Sequence, residues 1–391
     1  MFYQNLRIPA LLFASVLSLG IFSCSDDDVA PDVVPPVVVN LRTKIDYATL
    51  TATTPYSTPF VDAAGKSTVD LSNGNNRYRM FQALNTLIST SIRDNKEIDA
   101  AVLKNMFANT GNAFADSTKL NTSGVQLRNV VATSWPAADA EAVRVRFETL
   151  FTETAATSKS VTAVAEKGKA GKLGTYLVNA QGIEPIQIIQ KSLIGSLEYD
   201  YIANVLLTKG LEADNKTVVS GKLYTQLEQN WDEAYGLLTL NPVYLTGSTN
   251  DVRGTTEFAL GSYVWEYNKA EYAQIYPAFL KGRAAIVNND TAELKKQADF
   301  IKAAFEKAIA AAAVGYLGKW GNGATDAIKA HAIGEGLGFI YSLRFLTING
   351  GTPAFSDQIL LGLVGSENGF WDLTPTKITT ASDAIKAKFK L

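Results

Sequence analysis

The sequence predicts an all-α protein, built as one large or two packed helical bundles with little or no β structure. Apolar residues recur every three or four positions through most of the chain, which is the pattern of helices with one buried face. Segments that alternate between apolar and polar residues are few and short. Apolar residue types make up 47% of the 391 residues, which is enough for a sizeable core.

The amino terminus has the features of a bacterial lipoprotein export signal. Arg7 precedes an apolar run that is too short to span a bilayer as a permanent helix. The run ends in Ser23-Cys24, which matches a lipobox, and Cys24 is the only cysteine in the chain. We therefore predict that residues 1–23 are removed and that Cys24 is lipidated, which would anchor the protein in a membrane. The alternative is an incidental cysteine after an ordinary signal peptide.

Residues 24–45 have the composition of an acidic, Pro-rich tether. The acidic run 26–28 resembles the surface-export signals of some Gram-negative lipoproteins, whereas the alternative is a solvated spacer. The segment predicts an outer-membrane lipoprotein that is either surface-exposed or faces the periplasm. A formal net charge of −2 and the lack of any basic run in the sequence argue against binding to nucleic acid, which needs clustered Lys and Arg.

Residues 46–391 form the predicted helical domain. We expect its first part, 46–71, to be a loop with one hairpin. The Gly- and Lys-rich segment 167–174 is expected to be a flexible connector and the candidate boundary between two sub-bundles. Helical periodicity predicts roughly nine helices, in the segments 77–92, 98–107, 136–151, 176–207, 222–240, 261–284, 290–315, 324–345 and 383–391.

Local signals support the limits of some of these helices. Pro185 is expected to kink or restart the helix in which it falls. Asp290 is expected to cap the following helix, with Glu293 as its capping-box partner. Gly315 and Gly318 are expected to end that helix, since glycine is common just past a helix end.

The segment 324–345 is apolar or small almost all round, which is typical of a buried helix, and it carries the only histidine. Its three glycines each cost about 1 kcal/mol relative to alanine, which predicts that another backbone approaches closely. Four residues share one narrow face, because they are spaced at i, i+4, i+7 and i+11: His331, Glu335, Gly338 and Ser342. A polar stripe on a buried helix predicts either a satisfied internal network or a site.

Four motifs follow one another along the chain: Asn-Ala-Gln-Gly-Ile-Glu at 179–184, Trp-Asp-Glu-Ala-Tyr-Gly at 231–236, Phe-Leu-Lys-Gly-Arg-Ala-Ala-Ile at 279–286, and the stretch 331–345. Together they resemble an uncharacterised lipoprotein family, domain of unknown function 4856. The resemblance spans most of the mature chain and implies no particular activity.

A looser similarity connects the chain to imelysin-like proteins, which are helical exported bacterial proteins linked to iron acquisition and once classed as peptidases. Their signature places a Glu three residues after a His in a helix. Here Glu335 follows His331 by four residues, and the usual flanking pattern is missing. Both spacings place the two side chains on one helix face.

His331 and Glu335 are candidate ligands of a metal ion, since residues at i and i+4 of a helix converge. Further ligands would have to come from other helices, and the candidates are Asp232, Glu233, Glu184 and Glu198. An oxygen-rich set of this kind suits iron or another divalent metal, such as manganese or calcium, better than structural zinc. The alternative is that His331 and Glu335 are a hydrogen-bonded pair that locks the bundle without a ligand.

A second set of residues is predicted to form a ligand-binding or buried polar network: Trp231, Tyr235, Arg283, Ser342 and Arg344. The two arginines lie in apolar sequence, which predicts that they pair with buried carboxylates such as Glu184, Asp232 or Glu335. The aromatic residues between 263 and 276 are expected either to line a groove that contacts sugar or haem, or to fill the core.

These features predict an outer-membrane lipoprotein that binds a ligand for uptake without catalysis. Iron or haem is the candidate ligand, and an outer-membrane receptor is the candidate partner. A surface module for adhesion that binds glycan or protein is the alternative, and an imelysin-like peptidase is a second alternative. Catalysis is less expected than binding, because an H-E-x-x-H zinc site needs a second histidine and nothing in the sequence supports a catalytic triad at His331.

Overall fold

The computed structural model describes residues 41–238 and 259–391. It confirms the predicted all-α class, because these residues form helices and one small antiparallel sheet. Eleven α-helices lie in the described ranges: α1 Ser72–Arg93, α2 Ala100–Ala108, α3 Ala137–Ser158, α4 Pro185–Leu193, α5 Gln226–Leu238, α6 Leu260–Tyr267, α7 Lys269–Asn288, α8 Thr291–Asn322, α9 Asp326–Ser342, α10 Pro353–Val364 and α11 Pro375–Phe389. The sheet pairs β1, Gly171–Leu173, with β2, Tyr176–Val178.

A π-helix, Ile194–Leu206, continues α4 without a break. Short 3-10 helices lie between the longer elements, at Tyr47–Thr49, Asp116–Thr118, Arg128–Val130, Lys209–Glu212, Leu343–Phe345 and Gly369–Asp372. None of the helices in the described ranges is long and apolar enough to cross a membrane.

The predicted export signal 1–23, the lipidation site Cys24 and most of the tether lie outside the described residues. The last residues of the predicted tether are part of the fold. The Arg42 guanidinium lies 2.9 Å from the Glu228 carboxylate, and the backbone of Ile45 exchanges two hydrogen bonds with the side chain of Asn288 on α7. We call residues 41–56 the N-terminal strap.

The 32-residue helix α8 packs along α6, α7, α9 and α11, and α9 packs in turn against α4. Two glycines make the contact between α9 and α4 close. A Cβ atom on Gly338 would lie 2.5 Å from the Cβ of Lys191, and one on Gly195 would lie 2.3 Å from the Cβ of Ser342. The close approach predicted from the glycines of the segment 324–345 is therefore present at α4 and the π-helix.

The prediction that residues 167–174 form a flexible connector is wrong. The segment contains β1 and turns through Gly174, at a φ of +64°, into β2. Residues 176–178 are consequently strand, and the helix begins only at Pro185, which occupies its first turn. The residues that the structure describes, 41–238 and 259–391, belong to one compact unit.

Gly315 and Gly318 do not end a helix, because α8 continues to Asn322. A Cβ atom on Gly315 would lie 2.3 Å from the ring of Tyr267, so this glycine is required by packing rather than by a helix stop. The start of α8 is as predicted, since the Asp290 carboxylate accepts a hydrogen bond of 3.0 Å from the backbone N–H of Glu293.

Candidate functional site

The polar stripe of α9 faces the α4 helix and the π-helix that continues it. The stripe consists of the four residues whose spacing places them on one face: His331, Glu335, Gly338 and Ser342. Opposite them lie Glu184, which is the N-cap residue of α4, and then Lys191 and Gly195. At its far end the Ser342 hydroxyl donates a hydrogen bond of 2.6 Å to the backbone carbonyl of Lys191.

His331 is held by partners on both sides of its ring. Its Nδ1 atom lies 2.7 Å from Glu184 Oε2, and its Nε2 atom lies 3.6 Å from Glu335 Oε2. The other oxygen of Glu335 lies 3.0 Å from the ammonium nitrogen of Lys191. The Tyr176 ring of β2 stacks on the imidazole at a centroid distance of 4.1 Å and an interplanar angle of 12°. The His331 side chain remains 29% exposed, so it is not sealed inside the core.

We call His331 and the four residues around it, Glu184, Glu335, Lys191 and Tyr176, the His331 cluster. Burial and neighbouring charges shift the pKa values of its ionisable groups in opposite directions. Burial raises the pKa of Glu184 and lowers the pKa of Lys191. Burial also lowers the pKa of His331, but the hydrogen bond to Glu184 and the charges of Glu184 and Glu335 outweigh it, so the pKa ends above its ordinary value. The cluster therefore favours a cationic imidazole in contact with the Glu184 carboxylate.

The predicted metal site of His331, Glu335, Glu184 and Asp232 is not assembled. Glu184 and Glu335 approach opposite nitrogen atoms of the His331 ring, so the three groups do not converge on one point. Asp232 instead bonds to Arg283. Within 41–238 and 259–391, no group of three or more His, Cys, Asp or Glu side chains is arranged to hold a metal ion.

Arg283 is the centre of a second buried cluster, in which it donates to three different partners. Its Nε atom lies 3.0 Å from Asp232 Oδ1, and its two terminal nitrogens lie 2.9 Å from Glu228 and 3.0 Å from the Thr68 hydroxyl. Glu228 also pairs with Arg42 of the N-terminal strap. Arg283 thus pairs with Asp232, which is one of the three carboxylates predicted as its partners. It also pairs with Glu228, which was not predicted.

Asp232 is completely buried in the same cluster. The Tyr56 hydroxyl donates to its Oδ1 atom at 3.0 Å, while its Oδ2 atom has no hydrogen-bond partner in the part of the chain that the structure describes. Burial raises the pKa of Asp232 to about 7 even though the Arg283 charge opposes this shift. Arg283 thus bonds to both buried carboxylates of the cluster, Glu228 and Asp232. Such pairing is what offsets the cost of burying charged groups.

Trp231 and Tyr235 belong to the core around this cluster. The Trp231 indole N–H donates to the Phe279 carbonyl at 2.9 Å, and the Tyr235 ring stacks on Tyr56 at 4.2 Å. Both side chains are fully buried. Their contacts are those of packing residues.

Arg344 lies apart from both clusters, in the short helix that follows α9. Its guanidinium donates to the Ser356 hydroxyl at 3.1 Å and to Asp357 at 2.6 Å, and it covers the Tyr341 ring at 3.7 Å. The Asp357 side chain is 54% exposed, so the predicted buried carboxylate partner of Arg344 is in fact a surface residue.

Three of the five aromatic residues between 263 and 276 lie in the core, and Trp265 and Tyr267 are half-buried. Tyr263, Tyr272 and Tyr276 are buried, as the core-filling alternative predicted. Tyr263 also contacts the His331 cluster, since its ring lies 5.0 Å from the Lys191 ammonium group and its hydroxyl lies 3.4 Å from Glu335.

Sequence reasoning missed two members of the His331 cluster, Lys191 and Tyr176. Lys191 lies within the apolar sequence of α4, and a charged residue inside an apolar stretch was a usable signal for a buried ion pair. Tyr176 gave no such signal, because its position on the imidazole depends on a hairpin that the sequence did not predict.

Comparison with curated proteins and with solved structures gave no match. A family model matches residues 57–391, a range that includes both clusters except for the N-terminal strap residues Arg42 and Tyr56. The match covers most of the chain and all four motifs on which the resemblance was based. The chain therefore belongs to the family described as Domain of unknown function (DUF4856).

Proposed function

We propose that this protein is an outer-membrane lipoprotein that binds an iron compound for uptake without catalysing a reaction, and that haem is the best candidate for that compound. The export signal and the lipobox at Cys24 support the location. The choice of an iron compound as the ligand rests on the environment of His331.

His331 is oriented as metal-binding histidines usually are. Such residues donate one ring N–H to a carboxylate, which fixes the tautomer and leaves the other nitrogen for the metal. Here Nδ1 lies 2.7 Å from the buried Glu184 carboxylate, and Nε2 is more than a hydrogen-bond length from Glu335, at 3.6 Å. Stacking on Tyr176 fixes the plane of the ring. The His331 side chain is 29% exposed. A metal that bonds to Nε2 would displace the proton that the raised pKa of His331 favours at that nitrogen.

A ligand that brings most of its own donor atoms suits this site better than a free metal ion. His331 Nε2 and Glu335 offer two donors, and the described residues contain no group of three candidate ligands. Haem iron, by contrast, needs only an axial ligand from the protein, and a single histidine is a common one. The same reasoning extends to a ferric chelate with one open position.

The first test is a haem titration of the purified protein, followed by the absorption of the bound haem. We expect the His331→Ala variant to lose binding. The Glu184→Gln variant keeps an acceptor for Nδ1 but loses the charge, so we expect its affinity to fall by about tenfold to a hundredfold. Tyr176→Phe is the matched control, since it keeps the stacked ring and should bind as the wild type does.

Circular dichroism of each variant separates a loss of binding from a loss of fold. Equal haem affinity in the wild type and in a folded His331→Ala variant would contradict the proposal. A parallel titration with ferric citrate distinguishes a requirement for the porphyrin from a requirement for iron alone.

A further inference from the structure

We propose that a cleft between α3 and the end of α9 binds a short apolar peptide by its two termini. The cleft has a volume of about 540 Å³ and lies beside Tyr341, the penultimate residue of α9. Its lining contains three charged residues, which are Asp139 and Arg146 of α3 and Arg344 of the 3-10 helix that follows α9. Pockets of about 300–1,000 Å³ that combine apolar walls with a few polar groups are typical of small-molecule sites.

The Tyr341 hydroxyl is an unused hydrogen-bond donor at this cleft. Tyr341 is 2% exposed, and no described residue forms a hydrogen bond with its Oη atom. Oη is not among the unpaired polar atoms that are sealed from solvent, so the small surface that Tyr341 exposes includes this oxygen. Because Tyr341 lines the cleft, the hydroxyl is available to a ligand there. Burial raises the pKa of Tyr341 although the charges of Arg344 and Arg146 oppose the shift, so the hydroxyl keeps its proton at neutral pH and can donate.

Arg344 supplies a second unused donor from a buried position, since it is 9% exposed. Its Nε atom donates to the Tyr341 carbonyl at 3.0 Å, and its Nη2 atom donates to Ser356 and Asp357. Its Nη1 atom forms no hydrogen bond with the described residues and is not sealed from solvent. The guanidinium group is planar and rigid, so the bonds of the other two nitrogens fix the direction of this donor. Arg344 lines the cleft, where a ligand can accept from Nη1.

The Arg146 guanidinium completes the set of donors. It lies 4.7 Å from the centre of the Tyr341 ring, and the Arg344 guanidinium lies 3.7 Å from the same centre. Arg146 is exposed and forms no hydrogen bond or ion pair with the residues that the structure describes. Two guanidinium groups beside one ring repel each other, and an anion bound by both offsets that repulsion. Their fork of N–H donors matches the oxygens of a carboxylate or a phosphate.

Asp139 favours a peptide over a simple anion. Its exposed carboxylate forms no bond with the described residues, and it precedes Arg146 by two turns of α3, about 10 Å along the helix axis. A phosphate in the cleft would be repelled by Asp139, whereas a ligand with a carboxylate at one end and an ammonium group at the other pairs with both residues. An extended chain of two to four residues spans about 7–14 Å. The two termini of such a peptide can therefore reach Arg146 and Asp139 together.

Apolar walls suit the body of the peptide. Trp135 is half-buried and stacks on a core phenylalanine at 4.7 Å and 26°, and Val143 lies between the two charged positions of α3. Pro136 and Pro353 also line the cleft. Side chains that are already fixed lose less entropy when a ligand binds. The cleft shares no side chain with the His331 cluster, so this inference does not depend on the proposed iron site.

The first experiment tests the two ends of the ligand separately. The probes are the tripeptides Ala-Ala-Ala, Leu-Ala-Leu and Phe-Ala-Phe, each with free termini, with an amidated carboxyl terminus and with an acetylated amino terminus. Calorimetry with the purified protein measures their affinity at up to millimolar concentration. We expect at least one tripeptide with free termini to bind. Amidation should lower its affinity by about tenfold or more, and acetylation should lower it several-fold, because each removes a charged hydrogen-bonding group.

Substitutions then test the protein groups. Arg146→Gln should lower the affinity by about tenfold, and Arg93→Gln, which changes a 71% exposed arginine on α1, is the matched control that should bind as the wild type does. In Asp139→Asn the acetylated and the free peptide should bind alike. Tyr341→Phe keeps the ring and removes a hydroxyl that is unpaired in the described fold, so it should weaken binding several-fold without a loss of thermal stability. A merely structural Tyr341 would leave the affinity unchanged.

Three results would overturn the inference: no binding of any tripeptide with free termini, equal affinity for the free and the amidated peptide, or equal affinity in Arg146→Gln and Arg93→Gln. Haem binding by Arg146→Gln should equal that of the wild type, so failure here is distinguishable from failure of the proposed function.

Discussion

Glu198 shows how strongly one buried group can couple this fold to pH. Its side chain is completely buried in the π-helix. One carboxyl oxygen accepts a hydrogen bond of 2.9 Å from the backbone N–H of Leu260, and the other has no partner within the described ranges. Burial raises the pKa of Glu198 well above its ordinary value, so the carboxyl group is expected to be neutral in the folded protein over a wide pH range.

Glu198→Gln should make the protein more stable at neutral pH. In the wild type the folded state holds a proton that the unfolded chain has released, so stability is complete below the unfolded pKa and falls as the pH rises towards the folded pKa. The slope for one group is up to about 1.4 kcal/mol per pH unit. Glutamine keeps the shape and the acceptor but does not ionise. Urea unfolding at several pH values should therefore show that Glu198→Gln has a higher free energy of unfolding than the wild type at neutral pH. This difference should disappear towards acidic pH.

The control for this experiment is Glu97→Gln, which changes an exposed carboxyl group. Its effect on the free energy of unfolding should be small, as is usual for a substitution at an exposed position. A pH-independent difference between the wild type and Glu198→Gln would show that the Glu198 carboxyl group is ionised in the folded state, contrary to the expectation.

Sequence reasoning at the residue scale was sound where partners lie on one helix. His331, Glu335, Gly338 and Ser342 were placed on one face by spacing alone, and that face meets α4. It was weaker across helices, because periodicity identifies the buried side of a helix but not the helix that covers it. Asp232 was consequently grouped with His331, whereas in the structure its carboxylate bonds to Arg283.

At the scale of elements, glycines decide how closely the helices approach. Gly282 on α7 is the clearest case, because a Cβ atom there would lie 2.0 Å from the Trp231 ring on α5. That ring is fully buried and hydrogen-bonded to Phe279, so it has little room to move. The contact between α5 and α7 therefore depends on the missing side chain.

Gly282→Ala should lower the free energy of unfolding by at least about 2 kcal/mol, since overpacking of a core commonly costs 1–3 kcal/mol and sometimes more. Gly318→Ala is the matched control on α8, where a Cβ atom meets nothing within 4 Å. There alanine should raise stability by up to about 1 kcal/mol through its higher helix propensity. Denaturant unfolding measures both, and equal effects of the two variants would contradict the packing argument.

The elements that sequence reasoning predicted well are the long ones. A helix such as α1 presents its apolar residues over several turns, so the pattern is repeated enough to be recognised. Each strand of the hairpin has three residues, which is too short for an alternating pattern to stand out. Gly315 was misjudged for a different reason, because a glycine required by the Tyr267 ring looks the same in sequence as a glycine that stops a helix.

At the scale of the whole molecule, the N-terminal strap ties distant parts of the chain together. Arg42 pairs with Glu228 on α5, and the hydroxyl of Tyr47 donates to Asp290 at 3.0 Å. Tyr56 closes the buried cluster of Arg283 by its bond to Asp232. The family match begins at residue 57, so these contacts are made by residues that precede it.

A chain that begins at residue 57 should be less stable than one that begins at residue 41, by at least about 3 kcal/mol, because the truncation breaks buried polar pairs of the strap. Thermal and urea unfolding of the two chains give the difference. A chain that begins at residue 24 is the control, and it should also be more stable than the chain that begins at residue 57. Equal stability of all three would show that the strap is dispensable.

The stacking of Tyr176 on the only histidine gives this protein a built-in spectroscopic reporter. In a proton NMR spectrum the imidazole of a single histidine gives one pair of ring signals, so those of His331 need no assignment by mutagenesis. The ring current of a tyrosine at 4.1 Å moves these signals away from the positions of a free imidazole. Any ligand that separates the two rings moves them back, so occupancy of the His331 cluster can be followed without a label.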